Sequence, residues 1–342
     1  MSDAAAKPIG APRDAAAGTG SAATPRTRAA QAVVVLAGGV GAARFLRGVV
    51  QLVPAERLTI VVNTGDDRRF YGVHVSPDLD IVTYTLAGRI DPERGFGLAG
   101  DRFTLIERLR ALGHETWFRL GDADFANGLH RTLRLEAGAR LDEVTDELRR
   151  DHGLGFRILP MSNDPCPTFV SLSDGRRVHF EEYLVRDGAP RDVRGVDLSA
   201  AEKARPAPGV IEAIERADTI LVSPSNPIVS IGPIRAVPAI RRALDAASCP
   251  VVAVSPIVGG LPIKGPAHTL MHAEGLAVSA TGVARLYRDW IDGFVFDARD
   301  AAEAPAIEAL GLAVATLDTL MVDGEASRRV AEAALGLAER LR

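Results

Sequence analysis

Cysteine is scarce in this chain: Cys166 and Cys249 are the only two in 342 residues, and each is followed by proline. They stand in no metal-ligand or redox spacing, which excludes a disulfide framework and a thiolate metal site and points to a reduced, cytoplasmic setting. No apolar run approaches the roughly 18 residues of a membrane helix. Neither sign of charge dominates: 40 basic and 44 acidic residues give a formal net charge of -4. That balance offers nothing for sequence-independent binding to nucleic acid or to an anionic membrane, so the expected partners are small molecules. No G-x-x-x-x-G-K-[ST] string occurs anywhere, which excludes a P-loop.

What is present is an ordinary globular composition, 47% hydrophobic and 25% charged, enough for one large core or two modest ones. Its most informative stretch is VVVLAGGVGAARFLRGV, Val33 to Val49. The apolar run Ala32 to Leu36 has the pattern of a strand covered on both faces. Gly38, Gly39 and Gly41, with Val40 among them, then allow a tight turn and a close approach to an anion. Leu46, Val49 and Val50 follow at helical spacing from Ala42 and Ala43, so the turn opens a helix whose first N–H groups lack partners. Such glycines either cradle a phosphate or merely pack a helix on a strand. The dinucleotide fingerprint fails at its third glycine, where Arg44 stands, so a mononucleotide-type site is expected and a nicotinamide dehydrogenase is not.

Apolar strands alternate with helical patterns after the first 31 residues, as in an α/β fold with a doubly wound, mostly parallel sheet. The strand candidates are Val33–Leu36, Leu58–Val62, Thr219–Val222, Val251–Val254, Phe294–Phe296 and Leu312–Ala315. Residues 1–31, rich in alanine, glycine, proline, serine and threonine, are expected to form a disordered tail outside the fold. Residues 32–96 and 154–342 make the nucleotide-binding domain, and residues 97–153 a helical insertion in which Leu141, Val144 and Leu148 share a face. TFVSLSDGRRVHFEEYLV alternates around Asp174 and Gly175, predicting a hairpin that adds antiparallel strands to the sheet. Arg186 to Pro208 is expected to be a surface loop whose end returns the chain to that sheet. Val330, Ala334, Leu337 and Leu341 form the stripe of a closing helix.

The chemistry gathers where strands meet loops. LTIVVNTGDD ends in Asn63, Thr64, Gly65, Asp66 and Asp67, at the carboxyl edge where open α/β sheets bind ligands. Two adjacent carboxylates there suit a hard cation such as Mg²⁺, although both cannot point inward from extended backbone, and an Asx turn explains the segment alone equally well. In SPDLD, Ser76 is a plausible N-cap and Pro77 the first helical residue, placing Asp78 and Asp80 in the opening turn, where the helix dipole favours ionised carboxylates. Four aspartates at two neighbouring edges favour an acidic metal site over independent capping devices. Two proline-rich loops follow later strands, Ser223 to Ile234 and Ser255 to Ala267. Ser223, Ser225 and Asn226 are placed to read a base or sugar, Ser230 and Gly232 to meet phosphate, and Lys264 to supply a mobile positive charge. His74 is taken as a packing or surface histidine, and Trp117 either stacks on a ring or sits between core and insertion.

These motifs in this order, GGVGAARFLRGV, VVNTGDD, SPDLDIVTYTLAGRIDPERGFG, WFRLGD, ILPMSNDP, VHFEEYLV, SPSNPIVSIGPI and SPIVGGLPIKGPA, resemble the 2-phospho-L-lactate and phosphoenolpyruvate transferases of coenzyme F-420 biosynthesis. The resemblance implies a Rossmann-like core with a helical insertion, and a homodimer. It implies transfer of a phospholactyl or phosphoenolpyruvyl group from a guanosine diphosphate donor to the ribityl hydroxyl of the deazaflavin FO, with release of GMP and a requirement for Mg²⁺. By the same match, Asp66 is the metal-binding and catalytic residue, Asp78 a metal ligand, and Asp80 and Arg119 contacts to FO. Gly38 to Gly41 face donor phosphate, and the Ser223 to Asn226 loop with Lys264 holds the donor nucleotide. A noncatalytic nucleotide-sugar-binding regulator of the gluconeogenesis-factor type shares the fold and glycine turn and is the alternative.

Overall fold

The computed structural model describes residues 31–342, so the expected tail lies, but for Gln31, outside the described residues. The chain enters at β1 (Val33–Ala37), turns into α1 (Gly39–Val49) and returns through β2 (Leu58–Val62). A short antiparallel hairpin, β3 (Arg68–Phe70) and β4 (Val73–Val75), leads to α2 (Pro77–Leu86). The insertion follows as α3 (Thr104–Ala111), α4 (Asp122–Glu136) and α5 (Leu141–Asp151), and the chain rejoins the sheet at β5 (Arg157–Pro160). Next comes a small antiparallel sheet of β6 (Phe169–Leu172), β7 (Arg177–His179) and β8 (Val193–Asp197), ordered β7-β6-β8. After α6 (Val210–Glu215) the main sheet resumes with β9 (Thr219–Val222), α7 (Ile231–Ala236), α8 (Pro238–Asp245) and β10 (Val251–Val254). A two-residue-strand hairpin, β11 (Ile257–Val258) and β12 (Leu261–Pro262), precedes α9 (Ala267–Ala273) and α10 (Ala280–Tyr287). The chain closes through β13 (Gly293–Asp297), α11 (Ala304–Glu308), β14 (Ala313–Leu317) and α12 (Gly324–Arg340).

Seven strands form the main sheet in the order β14-β13-β10-β9-β1-β2-β5, and every neighbouring pair is parallel. Because β1 is buried on both faces, its alternation sorts side chains between two cores rather than between core and water. Val33, Val35 and Ala37 pack with Phe45 and Leu46 of α1 and with Val330, Ala334 and Leu337 of α12. Val34 and Leu36 face the other layer, which contains Ile231, Ile234 and Ile240. Strand order reverses direction between β1 and β9, which is the topological switch point where α/β proteins place ligands.

All six strand candidates are strands, and the helical insertion and the closing helix stand where the pattern puts them. Three expectations are corrected. The chain already returns to the sheet at β5, before the hairpin, because RILP supplies a parallel partner for β2 in register Ile60↔Ile158, and it returns again at β9 after 186–208. The β6–β7 hairpin turns at Asp174 and Gly175 as expected, but it pairs with β8 in a separate sheet and adds nothing to the main one. The stretch 186–208 is therefore not only loop, since β8 pairs along β6 through Phe169↔Asp197.

Candidate active site

A cleft of about 590 Å³ opens at the carboxyl end of the sheet, over the switch point. Gly38, Gly39, Val40, Gly41 and Arg44 line it from the β1–α1 turn, Asp66 from the loop after β2, and Asp78 from the first turn of α2. Ser225, Asn226 and Ser230 come from the loop after β9, and Lys264 from the loop after β12. Phe180, Glu181 and Leu184 close one wall, and Thr319 to Val322, after β14, another. A larger hollow of about 930 Å³ lies at the opposite edge, by Gln31 to Val34 and Arg157, and contains none of the turn glycines or the candidate aspartates.

The glycines bring the turn into close contact with its neighbours. Gly39 has φ +73°, a conformation that favours glycine. A Cβ on Gly41 would sit 2.3 Å from the Pro224 carbonyl oxygen, so this glycine lets α1 press against the β9 loop. A Cβ on Gly38 would fall 2.7 Å from Asp78 Oδ2, so this second close approach is to a carboxylate. The turn is braced from β9: Ser225 Oγ donates to Gly38 O at 2.7 Å, and Ser223 Oγ donates to Leu36 O at 2.8 Å. Ser223 thus lies beneath the cleft with its hydroxyl engaged by the sheet, whereas Ser225 and Asn226 reach the cleft wall.

Of the adjacent pair, Asp66 lines the cleft and Asp67 does not. Asp67 Oδ2 accepts from Ser76 Oγ at 2.7 Å, so Ser76 ties down this neighbour instead of capping α2 with its side chain. Asp66 is buried, lines the cleft, and its Oδ1 has no hydrogen-bond partner. Asn63, buried at the end of β2, accepts the Gly65 N–H at Oδ1 (2.8 Å) and donates from Nδ2 to Asp78 Oδ2 (2.9 Å). Glu181, also buried, begins the turn that follows β7 and approaches from the small sheet. That sheet is stitched to the Asp66 loop: Thr168 N donates to Gly65 O at 2.8 Å, and Phe180 N donates to Thr168 O at 2.9 Å.

Electrostatics makes these three carboxylates one unit. Burial pushes the Asp66 carboxyl well above its ordinary range, and the charges of Asp78 and Glu181 push it further. Burial raises Asp78 to about 6 against the hydrogen bonds from Asn63 and the Gly39 backbone. Burial and then Asp78 raise Glu181 to about 8. Carboxylates that shift upward together in a poorly hydrated cleft are stabilised as anions by an incoming positive charge. Among the described residues no three His, Cys, Asp or Glu side chains converge tightly enough to form a complete metal cage. Magnesium, however, is commonly held by one or two carboxylates plus phosphate oxygens and water, and an all-oxygen set with the unpartnered Asp66 Oδ1 fits that use.

Two expected contacts stand apart from the cleft. Asp80 sits on the opposite side of α2 from Asp78 and forms a two-point ion pair with the buried Arg131 of α4. Arg119 stacks over Phe103, 4.5 Å from its ring centroid, within the insertion region. His74 is a packing residue, held near neutral form because burial lowers it to about 4, and Trp117 meets Phe70 edge-on in a small core of the insertion. The residues without a role in the sequence reading are Asn63, Glu181 and Arg131.

Fold and site together define a Rossmann-type α/β protein with an acidic, glycine-floored cleft at its switch point. The sequence profile described as 2-phospho-L-lactate transferase CofD matches residues 33–329. A phosphoenolpyruvate transferase of Kitasatospora aureofaciens is 46% identical over 316 residues, 91% of this chain and 98% of that protein. A 2-phospho-L-lactate transferase of Methanosarcina acetivorans is 42% identical over 305 residues, 89% of this chain and 98% of that protein. The chain belongs to the 2-phospho-L-lactate transferase CofD family and is a transferase. A crystal structure of a upf0052 family member from Bacillus halodurans shares the fold, with a TM-score of 0.59 at 18% identity, covering 89% of this chain and 98% of that one.

Proposed function

We propose that this protein transfers a phosphoenolpyruvyl or phospholactyl group from a guanosine diphosphate donor to the ribityl hydroxyl of FO, in the biosynthesis of coenzyme F-420. The observation that carries the reading is the contact between the glycine turn and the carboxylate cluster, with Gly38 backed directly onto Asp78. Phosphoryl transfer depends mainly on positioning and charge neutralisation, because its transition state spreads negative charge over the phosphoryl oxygens.

In this reading the hydroxyl oxygen of FO bonds to the distal phosphorus of the donor. The bond from that phosphorus to the bridging oxygen breaks, GMP leaves with the bridging oxygen, and a phosphodiester results. The first N–H groups of α1 and the charges of Arg44 and Lys264 receive the diphosphate, and Ser225 with Asn226 contacts the nucleoside side. Asp66 and Asp78 would hold Mg²⁺, which when bound supplies Lewis-acid neutralisation of the phosphates. Asp66 orients the attacking hydroxyl and accepts its proton. Glu181 adds to the negative field that draws a cation into the cleft. Mass spectrometry of the products formed from FO with each guanosine diphosphate donor tests the assignment and identifies the three-carbon acid. Failure of every such donor to yield a phosphodiester of FO overturns it.

A further inference from the structure

We infer that Asp300, which does not line the cleft, is a positioning residue for the donor: it fastens the turn of the β11–β12 hairpin and thereby sets where Lys264 stands. The inference rests on the transferase reading above, in which Lys264 receives the donor diphosphate. Asp300 lies in the short helical turn Ala298–Glu303 that follows β13, and it is buried. Its Oδ2 accepts the Gly259 N–H at 2.9 Å, and the Gly260 N–H adds to the pull on the same carboxylate. Gly259 and Gly260 have φ +60° and +75°, the two left-handed positions of a tight hairpin turn. The hairpin pairs Val258 with Leu261 across that turn, which leaves the glycine N–H groups to Asp300.

The hairpin has little of its own to hold it in place. It contains two residue pairs, and a two-stranded hairpin alone is marginal in water. Its incoming strand is buried at Ile257 and Val258, but on the outgoing arm Leu261 is 60% exposed and Ile263 52%. That arm carries Lys264 along the cleft and is next anchored at α9, through the buried Ala267, Leu270 and Met271. Fixing the arm at its turn reduces the ordering that the donor would otherwise impose when it engages the lysine. Asp297, at the end of β13, supports the neighbouring wall in the same way: its Oδ2 accepts Thr319 N at 2.8 Å and Thr319 Oγ1 at 2.9 Å, and Thr319 to Val322 line the cleft. β13 thus braces the donor side from behind while neither aspartate enters the cleft.

The test compares Asp300→Ala, Asp300→Asn, Lys264→Ala and the double change Asp300→Ala with Lys264→Ala, reading GDP affinity by calorimetry and the KM values for donor and FO. In Asp300→Ala, GDP binding weakens and the donor KM rises, each roughly tenfold, while the KM for FO stays within about twofold, the pattern expected when an outer support of one subsite is lost. Amide hydrogen exchange over residues 257–266 rises roughly tenfold while β10 and β13 stay protected. Asp300→Asn keeps an oxygen for the Gly259 N–H and stays within about threefold of wild type in both readouts. Since Asp300 acts through Lys264, the double variant binds GDP no more weakly than Lys264→Ala, whereas independent roles would multiply the two losses. Multiplied losses, an equal rise in the KM for FO, or wild-type exchange over 257–266 in Asp300→Ala overturns the inference. If Asp300→Ala does not melt cooperatively, Asp300→Glu, which keeps the charge and displaces the acceptor by one methylene, decides by the same readouts. A wild-type protein that transfers nothing to FO refutes the transferase reading, while GDP affinity and exchange still judge the tie between Asp300 and Lys264.

Discussion

Asn63 Nδ2 donates to Asp78 Oδ2 at 2.9 Å, so the strand that delivers Asp66 also holds the carboxylate at the head of α2. The same amide accepts the Gly65 N–H and reaches the Val229 carbonyl at 3.3 Å, which makes one buried side chain the junction of three loops around the cleft.

Asn63→Ala therefore leaves a buried carboxylate, an N–H and a carbonyl short of partners. The expected cost is about 1–3 kcal/mol of stability, with a weaker response to magnesium. Denaturant unfolding and a magnesium titration of activity check both effects. Asn63→Asp keeps the shape but adds a carboxyl to the cluster, and its penalty should grow between pH 5 and pH 8.

Glycine positions separate close packing from mere helix formation. Gly41→Ala places a methyl 2.3 Å from the Pro224 carbonyl oxygen and should destabilise by about 1–3 kcal/mol, with a raised KM for the donor. Gly336→Ala, in the interior of α12 and 3.9 Å from its nearest neighbour, should stabilise by about 0.5–1 kcal/mol. Thermal unfolding of the two variants should move in opposite directions.

The raised carboxyl of Glu181 links stability to pH. Its ordinary value is 4.5 and its folded value about 8, so between these the folded state binds more protons than the unfolded chain. The stability it contributes is fully present below 4.5 and is lost as pH rises toward about 8. Without magnesium, melting temperature should fall across that window in the wild type and fall less in Glu181→Gln. Added Mg²⁺ should restore more stability at pH 8 than at pH 5, because it binds the ionised cluster.

Much of this was legible in the sequence, for a physical reason. The strands of the main sheet are buried on both faces, so Val33–Ala37, Leu58–Val62 and Thr219–Val222 are continuous apolar runs that stand out from any background. β5 escaped because its four residues begin with an exposed arginine and end in proline, and β8, with sequence VRGVD, is charged and glycine-broken at the edge of a small sheet. β3 and β4 hid inside a stretch whose aspartates drew a chemical reading instead. Of the site, the glycine turn, Asp66, Asp78, Ser225, Asn226 and Lys264 come together because each lies in the connection that follows β1, β2, β9 or β10 of the main sheet. Glu181 gives no such sign, since it comes from another sheet and its place depends on tertiary stitching through Thr168. Arg131 is equally silent: an arginine in a charged helix has the pattern of a solvent-facing residue, and only the fold buries it.

Lys264 carries the prediction about the donor side. Lys264→Ala removes a mobile charge from the cleft wall without touching the core, so the KM for the donor should rise while the melting temperature stays unchanged. Raising ionic strength should reduce the difference between variant and wild type, since the contact is exposed to screening.

The central claim is that the Asp66 cluster, floored by the glycine turn, carries a magnesium-dependent transfer to FO. Its most direct test follows FO and the guanosine diphosphate donor by mass spectrometry across a magnesium titration, for wild type and Asp66→Asn together. The account predicts a phosphodiester of FO and an equal amount of GMP, both dependent on magnesium, with Asp66→Asn reducing the rate by at least about 100-fold. Full magnesium-dependent turnover by Asp66→Asn, or formation of GMP with no modified FO in the wild type, would contradict it.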